Sequence, residues 1–76
     1  MDLTRTIVLT TDFGQIDGYV GMMKGVILSI NPQAVMIDLT HAIQPQDLLQ
    51  ASFILGSSAP YFPTGSIHVV VVDPGV

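Results

Sequence analysis

The side chains of this 76-residue sequence that can do chemistry are nearly all aspartates. Asp2, Asp12, Asp17, Asp38, Asp47 and Asp73 make up the whole acidic complement, joined by two histidines, His41 and His68. A carboxylate can accept hydrogen bonds from two neighbouring hydroxyls, as on a ribose. It can also hold an ammonium, stabilise a nearby sulfonium by Coulomb attraction, or ligate a hard cation. The chemistry on offer is therefore recognition of a sugar diol, a cation or a metal ion. Arg5 and Lys24 are the only basic residues, and the formal net charge is −4. That balance excludes a nucleic-acid binder, which needs a basic footprint. It also makes an anionic phosphate a poor ligand unless a metal intervenes, and neither G-x-G-x-x-G nor G-x-x-x-x-G-K-[ST] occurs.

The elements that must position these residues follow from the apolar pattern. Thr6 to Thr11 is rich in β-branched residues and reads as a strand, broken by Asp12-Phe13-Gly14. From Asp17 to Ile30 the period becomes helical, with Tyr19, Met23, Val26, Ile27 and Ile30 recurring on one face. Asn31-Pro32 ends that helix, because proline disfavours helical conformation in the residue before it. Ala34 to Leu39 reads as a second strand and Thr40 to Ile43 as a loop. Pro45 then suits a first helical turn, and Asp47 suits the positive end of the helix. Leu48, Leu49, Ser52 and Leu55 give this second helix its apolar face. Gly56 to Gly65 is punctuation. Ser66 to Val72 is a third strand whose unbroken apolar run suits burial on both faces. The order β-α-β-α-β predicts an α/β fold with parallel strands and right-handed crossovers. The chain reads as the N-terminal part of a larger α/β domain.

In such a sheet, ligands bind beyond the carboxyl ends of the strands. Five of the eight aspartates and histidines fall there: Asp12 and Asp17 after the first strand, Asp38 and His41 after the second, Asp73 after the third. Asp2, Asp47 and His68 lie elsewhere. Each aspartate taken singly also suits an ordinary turn or helix cap. His41 suits a loop hydrogen bond, and His68, alternating with apolar neighbours, a structural place in its strand. Lys24 suits an ion pair with a nearby carboxylate. Met22 and Met23 read as helix core. Gly18, Gly21 and Gly25 share one helix face, which predicts close packing on the sheet or close approach of a ligand.

The remaining composition sets bounds. A 49% apolar content with few charges excludes a disordered acidic tail. The absence of cysteine excludes a disulfide framework and a thiolate zinc site, and suits a reducing compartment. No stretch approaches the ~20 apolar residues of a membrane span. The longest candidate, Tyr19 to Ile30, is interrupted by Gly21, Lys24 and Gly25. The N-terminus has no long apolar segment before a cleavage site. The expectation is a soluble cytoplasmic protein.

Three blocks in order carry a family resemblance. The first is Thr11-Asp12-Phe13-Gly14, then Asp17-Gly18-Tyr19-Val20-Gly21 and Met23-Lys24-Gly25-Val26. The second is Asp38-Leu39-Thr40-His41 with Pro45 and Asp47. In the third, Phe62 to His68 leads to Val71-Val72-Asp73-Pro74-Gly75-Val76. Together they resemble the S-adenosyl-L-methionine hydroxide adenosyltransferases, the adenosine-forming S-adenosylmethionine (SAM) hydrolases related to fluorinase and chlorinase. The resemblance runs from Thr6 to Val76 but covers only the first part of a typical member. It implies that residues 1–76 are an incomplete N-terminal α/β domain. The rest of that domain and a C-terminal β-domain are then expected beyond residue 76.

The resemblance also implies a reaction. Hydroxide attacks C5′ of S-adenosyl-L-methionine and displaces methionine, giving adenosine, with no cofactor and no metal. Asp12 matches the aspartate that binds the ribose hydroxyls. Asp17 matches an aspartate that contacts the methionine amino group in the halogenating relatives, although Tyr19 stands where those have serine. Asp73 matches the catalytic aspartate of an Asp-Arg-His set that positions and activates the attacking water; the arginine and histidine are expected after Val76. The halide-using fluorinase has a tyrosine there, and a carboxylate would repel fluoride or chloride. Neither His41 nor His68 occupies the catalytic-histidine position. The resemblance further implies a homotrimer, with sites shared between neighbouring subunits, and little activity from residues 1–76 alone. The alternatives are a Mg²⁺-dependent phosphatase or phosphotransfer site on Asp12, Asp38 and Asp73, and a non-catalytic nucleoside-binding module.

Overall fold

The computed structural model describes residues 5–15 and 17–75. Asp2 and Val76, both named above, lie outside the described residues. Strand β1 (Thr6–Thr11), helix α1 (Tyr19–Ile30), strand β2 (Val35–Thr40), helix α2 (Leu48–Ser58) and strand β3 (Ile67–Val71) follow in the expected order, with a 3₁₀ turn at Ala59–Tyr61 after α2. The sheet is parallel and its spatial order is β2-β1-β3. The α/β reading of the sequence thus holds. Among the described residues no helix is long and apolar enough to cross a membrane.

The central position of β1 explains its burial. Val8 and Leu9 are fully covered, and with Ile43 and Ala51 they form the apolar core. Val8 pairs with Ile37 on one side and His68 on the other, while Leu9 pairs with Asp38 and Val69. Alternate residues of a strand point to opposite faces. Leu9 and its partner Asp38 therefore share a face, and Lys24 of α1 reaches Asp38 there. On the other face lies Val70, the partner of Thr10. Val70 and Val72 line a groove together with Leu48, Ala51, Ser52 and Leu55 of α2. The two helices thus lie toward opposite faces of the sheet.

Four details of the sequence reading are corrected. First, α1 starts two residues later than Asp17. The Tyr19 N–H donates to the Asp17 carbonyl at 2.6 Å, a turn that leaves Gly18 as N-cap without a capping side chain. The helix ends at Asn31, whose backbone is extended (φ −136°, ψ 91°) as Pro32 requires. Second, the apolar face of α1 is not buried. Tyr19, Met22, Val26 and Ile30 are exposed, Met23 and Ile27 half-buried. A Cβ placed on Gly18, Gly21 or Gly25 would meet nothing within 4 Å, so these glycines mark no close packing among the described residues.

Third, Pro45 stands outside α2. Gln46 takes a left-handed backbone (φ 67°), and the helix begins after Asp47. The Asp47 carboxylate caps it, accepting the Gln50 N–H at 2.9 Å. The face of α2 toward β3 runs Leu48, Ala51, Ser52, Leu55, with spacings of three and four, so Leu49 falls off it and is 83% exposed. Fourth, β3 is not buried on both faces. It forms one edge of the sheet, and Ile67, Val70 and Val71 stay exposed. A continuous apolar run reports a strand's suitability for cover, not the presence of that cover.

Candidate functional site

The strand order creates the site. From β1 the chain crosses to β2 on one side, then returns over β1 to reach β3 on the other. Where the winding reverses, the loops leaving two adjacent parallel strands diverge and open a crevice at their carboxyl ends. Those two strands are β1 and β3, and the residues leaving the crevice edge are Asp12 and Asp73. The Asp12 N–H donates to the Val71 carbonyl at 3.2 Å, extending the ladder by one step. The Asp12 carboxylate then accepts the Asp73 N–H at 2.9 Å. The first and third strand ends are therefore tied together directly.

The Asp73 loop is a tight turn. Its carboxylate accepts the Gly75 N–H at 2.8 Å. Gly75 adopts φ 71°, and a Cβ there would overlap the Gln46 side chain. A glycine is required at this position both for its backbone conformation and for that close approach. Gln46 in turn is the non-glycine residue with positive φ among those described. A left-handed conformation costs an ordinary residue about 1–2 kcal/mol. That strain sits on the rim of the crevice, where it brings the Gln46 side chain over Gly75.

The result is a cavity of about 370 Å³, in the size range of small-molecule sites. Asp12, Asp17 and Asp73 line it. Phe13 and Tyr19 make an aromatic wall, with ring centroids 6.1 Å apart and planes at 51°. Pro45 and Gln46 close the side toward α2. Among the described residues no lysine or arginine lines this cavity. Three carboxylates beside two aromatic rings suit a ligand that offers hydroxyls and a positive charge, with an apolar or aromatic body.

The structure thus brings Asp12, Asp17 and Asp73 to one cavity and leaves Asp38 and His41 out of it. Asp38 is engaged elsewhere. Its carboxylate accepts from Lys24 Nζ at 2.6 Å through one oxygen and is 2.7 Å from His41 Nε2 through the other. The Lys24 hydrogen bond, and after it the His41 contact, hold the Asp38 carboxyl below its usual range. The three-aspartate metal set of the Mg²⁺ alternative does not assemble, because Asp38 does not line the cavity that Asp12 and Asp73 share. No group of three potential metal ligands occurs among the described residues. His68 packs edge-on against Phe62, 5.7 Å between ring centroids, away from the cavity.

Sequence reasoning missed Phe13, Pro45 and Gln46 as site residues. Phe13 lies in the loop after β1, where the strand-end rule already pointed. Pro45 and Gln46 carry no such signal. They reach the crevice only because α2 starts beside β3's end and Gln46 turns left-handed.

Comparison with known proteins agrees with this architecture. The profile of the SAM hydroxide adenosyltransferase N-terminal domain matches residues 7–76. The (R)-S-adenosyl-L-methionine hydrolase of Methanocaldococcus jannaschii is 47% identical over 99% of this chain. A fluorinase of an Actinoplanes species is 28% identical over 90% of it. The crystal structure of an uncharacterised conserved protein from Thermotoga maritima superposes with a TM-score of 0.87 at 43% identity over 92% of this chain. The chain spans only 30% of the M. jannaschii protein, 23% of the fluorinase and 27% of the T. maritima chain. With the profile match running through the whole crevice, from β1 to the turn after Asp73, this chain belongs to the SAM hydroxide adenosyltransferase N-terminal domain family.

Proposed function

We propose that the full-length protein hydrolyses S-adenosyl-L-methionine to adenosine and L-methionine by attack of water on C5′ of the ribose. The observation that carries this reading is the pairing of Asp12 and Asp73 at the winding reversal, with Asp17 on the same cavity. The relatives named as SAM hydrolases support the substrate.

Each aspartate has a distinct task. Asp12 accepts the ribose hydroxyls. One of its oxygens already takes the Asp73 N–H, which fixes the carboxylate's orientation before substrate arrives. A carboxylate has about four acceptor sites, so capacity for a diol remains. Asp17 holds the methionine ammonium. Asp73 orients the attacking water and draws on its proton as the new C–O bond forms. The C5′–S bond breaks at the same time, and its electron pair returns to sulfur. A cationic sulfonium leaves as a neutral thioether, so departure needs no acid and the chemistry needs no cofactor. What the site supplies is alignment of water, C5′ and sulfur, a large source of rate. An acidic crevice also repels halide, whereas neutral water can enter and pass its proton to Asp73, which favours water as nucleophile.

In the same reading the protein is a cytoplasmic homotrimer. A neighbouring subunit's C-terminal β-domain closes each site, and chain beyond residue 76 supplies an arginine and a histidine that complete the water-activating set. Incubation of the full-length protein with S-adenosyl-L-methionine is expected to release adenosine and methionine in equal amounts. A halide-dependent 5′-halo-adenosine in place of adenosine would overturn the hydrolase assignment.

A further inference from the structure

A polar chain, buried at Thr11 and His41 and open to solvent at Asp38 and Lys24, lies behind the crevice, and none of these four residues lines its open volume. His41 is 3% exposed and Thr11 fully buried. The Thr11 hydroxyl oxygen is 2.7 Å from His41 Nδ1 and accepts the Phe13 N–H at 3.1 Å. The far nitrogen of the ring, Nε2, is 2.7 Å from Asp38, whose other oxygen takes Lys24. Three separate elements and the loop after β2 thus meet in one line of hydrogen bonds.

The two ends of that line constrain its direction. A backbone N–H can only donate, and a carboxylate can only accept. In the assignment that leaves no donor unused, the Phe13 N–H gives to the Thr11 oxygen, the Thr11 O–H gives to Nδ1, and Nε2–H gives to Asp38. Every member is satisfied with a neutral imidazole protonated on Nε2. At the buried members, Thr11 and His41, breaking a bond strands a polar group away from water, which holds that end of the chain firmly in one geometry.

What this line holds is the turn that carries Asp12. Thr11 precedes Asp12, and its side chain ties down the amide of Phe13, which follows. The His41 carbonyl accepts the Gly14 N–H at 2.8 Å, and the Thr11 carbonyl accepts the Ile43 N–H at 3.3 Å. His41 therefore grips the β1–α1 turn twice, through its ring and through its backbone, on both sides of two cavity-lining residues. We propose that His41 is a positioning residue for the site: the Lys24–Asp38–His41–Thr11 chain locks the Asp12–Phe13 turn in the conformation that receives the ribose. This rests on the reading of the crevice as the substrate site.

The test separates hydrogen bonding from shape and from turnover. In the full-length protein, Thr11→Val keeps the shape and removes the hydroxyl, while Thr11→Ser keeps the hydroxyl. Thr11→Val and His41→Ala are each expected to raise KM for S-adenosyl-L-methionine roughly tenfold, the equivalent of about 1.4 kcal/mol. Their kcat should stay within about threefold of wild type, since the water-orienting Asp73 is untouched, and Thr11→Ser should stay close to wild type in both. Equal damage from Ser and Val at position 11, or an unchanged KM in Thr11→Val, would overturn the proposal. The imidazole nitrogen spectrum of the wild-type protein, recorded without substrate, is a second readout that needs no folded variant and no activity. Protonation of His41 on Nε2 alone is expected, and a proton on Nδ1 would overturn the proposed chain. If that spectrum agrees while no adenosine forms, the substrate reading has failed and not the hydrogen-bonded chain.

Discussion

In the proposed mechanism Asp12 and Asp73 divide substrate holding and water activation between them, although the amide of one rests on the carboxylate of the other. Asp73→Asn is expected to lower kcat by at least ~100-fold, the usual scale of proton-transfer assistance, with KM little changed. Asp12→Ala is expected to act chiefly on KM. Steady-state kinetics on both variants checks the division, and equal effects on KM would contradict it. Gly75 offers a test of the crevice rim. Gly75→Ala places a methyl group against Gln46 in a left-handed backbone, and should destabilise the protein by about 1 kcal/mol or more, read by thermal unfolding. The strand ends narrowed the sequence to five candidates, and the family resemblance singled out Asp12, Asp17 and Asp73 among them; that Asp38 and His41 fall outside the cavity was not legible. Nor was Gln46, because the sign of φ at a non-glycine residue depends on what surrounding chain forces it there.

At the scale of elements, the strands were legible to within a residue or two. β-Branched runs bounded by Asp-Phe-Gly, Asn-Pro and Asp-Pro-Gly leave little freedom. Helix starts were not so readable. Asp17-Gly18 makes a turn before α1, and Asp47 caps α2 from outside instead of sitting in its first turn. Asp47→Ala should therefore cost about 1 kcal/mol of stability, largely restored by Asp47→Asn or Asp47→Ser. Chemical denaturation of the three variants measures it; equal loss in all three would mean that the charge, and not the cap, matters. Burial was the least readable property. Tyr19, Val26 and Ile30 have the spacing of a core face, yet they stay exposed among the described residues. Periodicity tells which residues share a face, and only a partner surface decides whether that face is covered.

The molecule as a whole is organised by one crossing-over: because β3 lies beside β1 and not beside β2, the ends of β1 and β3 share a crevice and the end of β2 is set behind it. That displaced end holds the Lys24–Asp38 pair, partly open to solvent. Lys24, and secondarily His41, keep the Asp38 carboxyl below its ordinary 3.8. Since the folded state lowers this value, the pair's contribution to stability is complete above about that pH and is lost as pH falls through the lower folded-state value. Lys24→Met should move the Asp38 titration upward, which carboxyl NMR reads directly, and should flatten the acid limb of the stability curve. An Asp38 titration unmoved by Lys24→Met would show that the pair does not set it. The central claim concerns the fate of one oxygen atom. Full-length protein turning over S-adenosyl-L-methionine in heavy-oxygen water, with the products analysed by mass spectrometry, tests it most directly. The account predicts adenosine carrying the heavy atom as its 5′-hydroxyl, alongside unlabelled methionine. Adenosine without the label, or cleavage of S-adenosyl-L-methionine at any bond other than C5′–S, would contradict it.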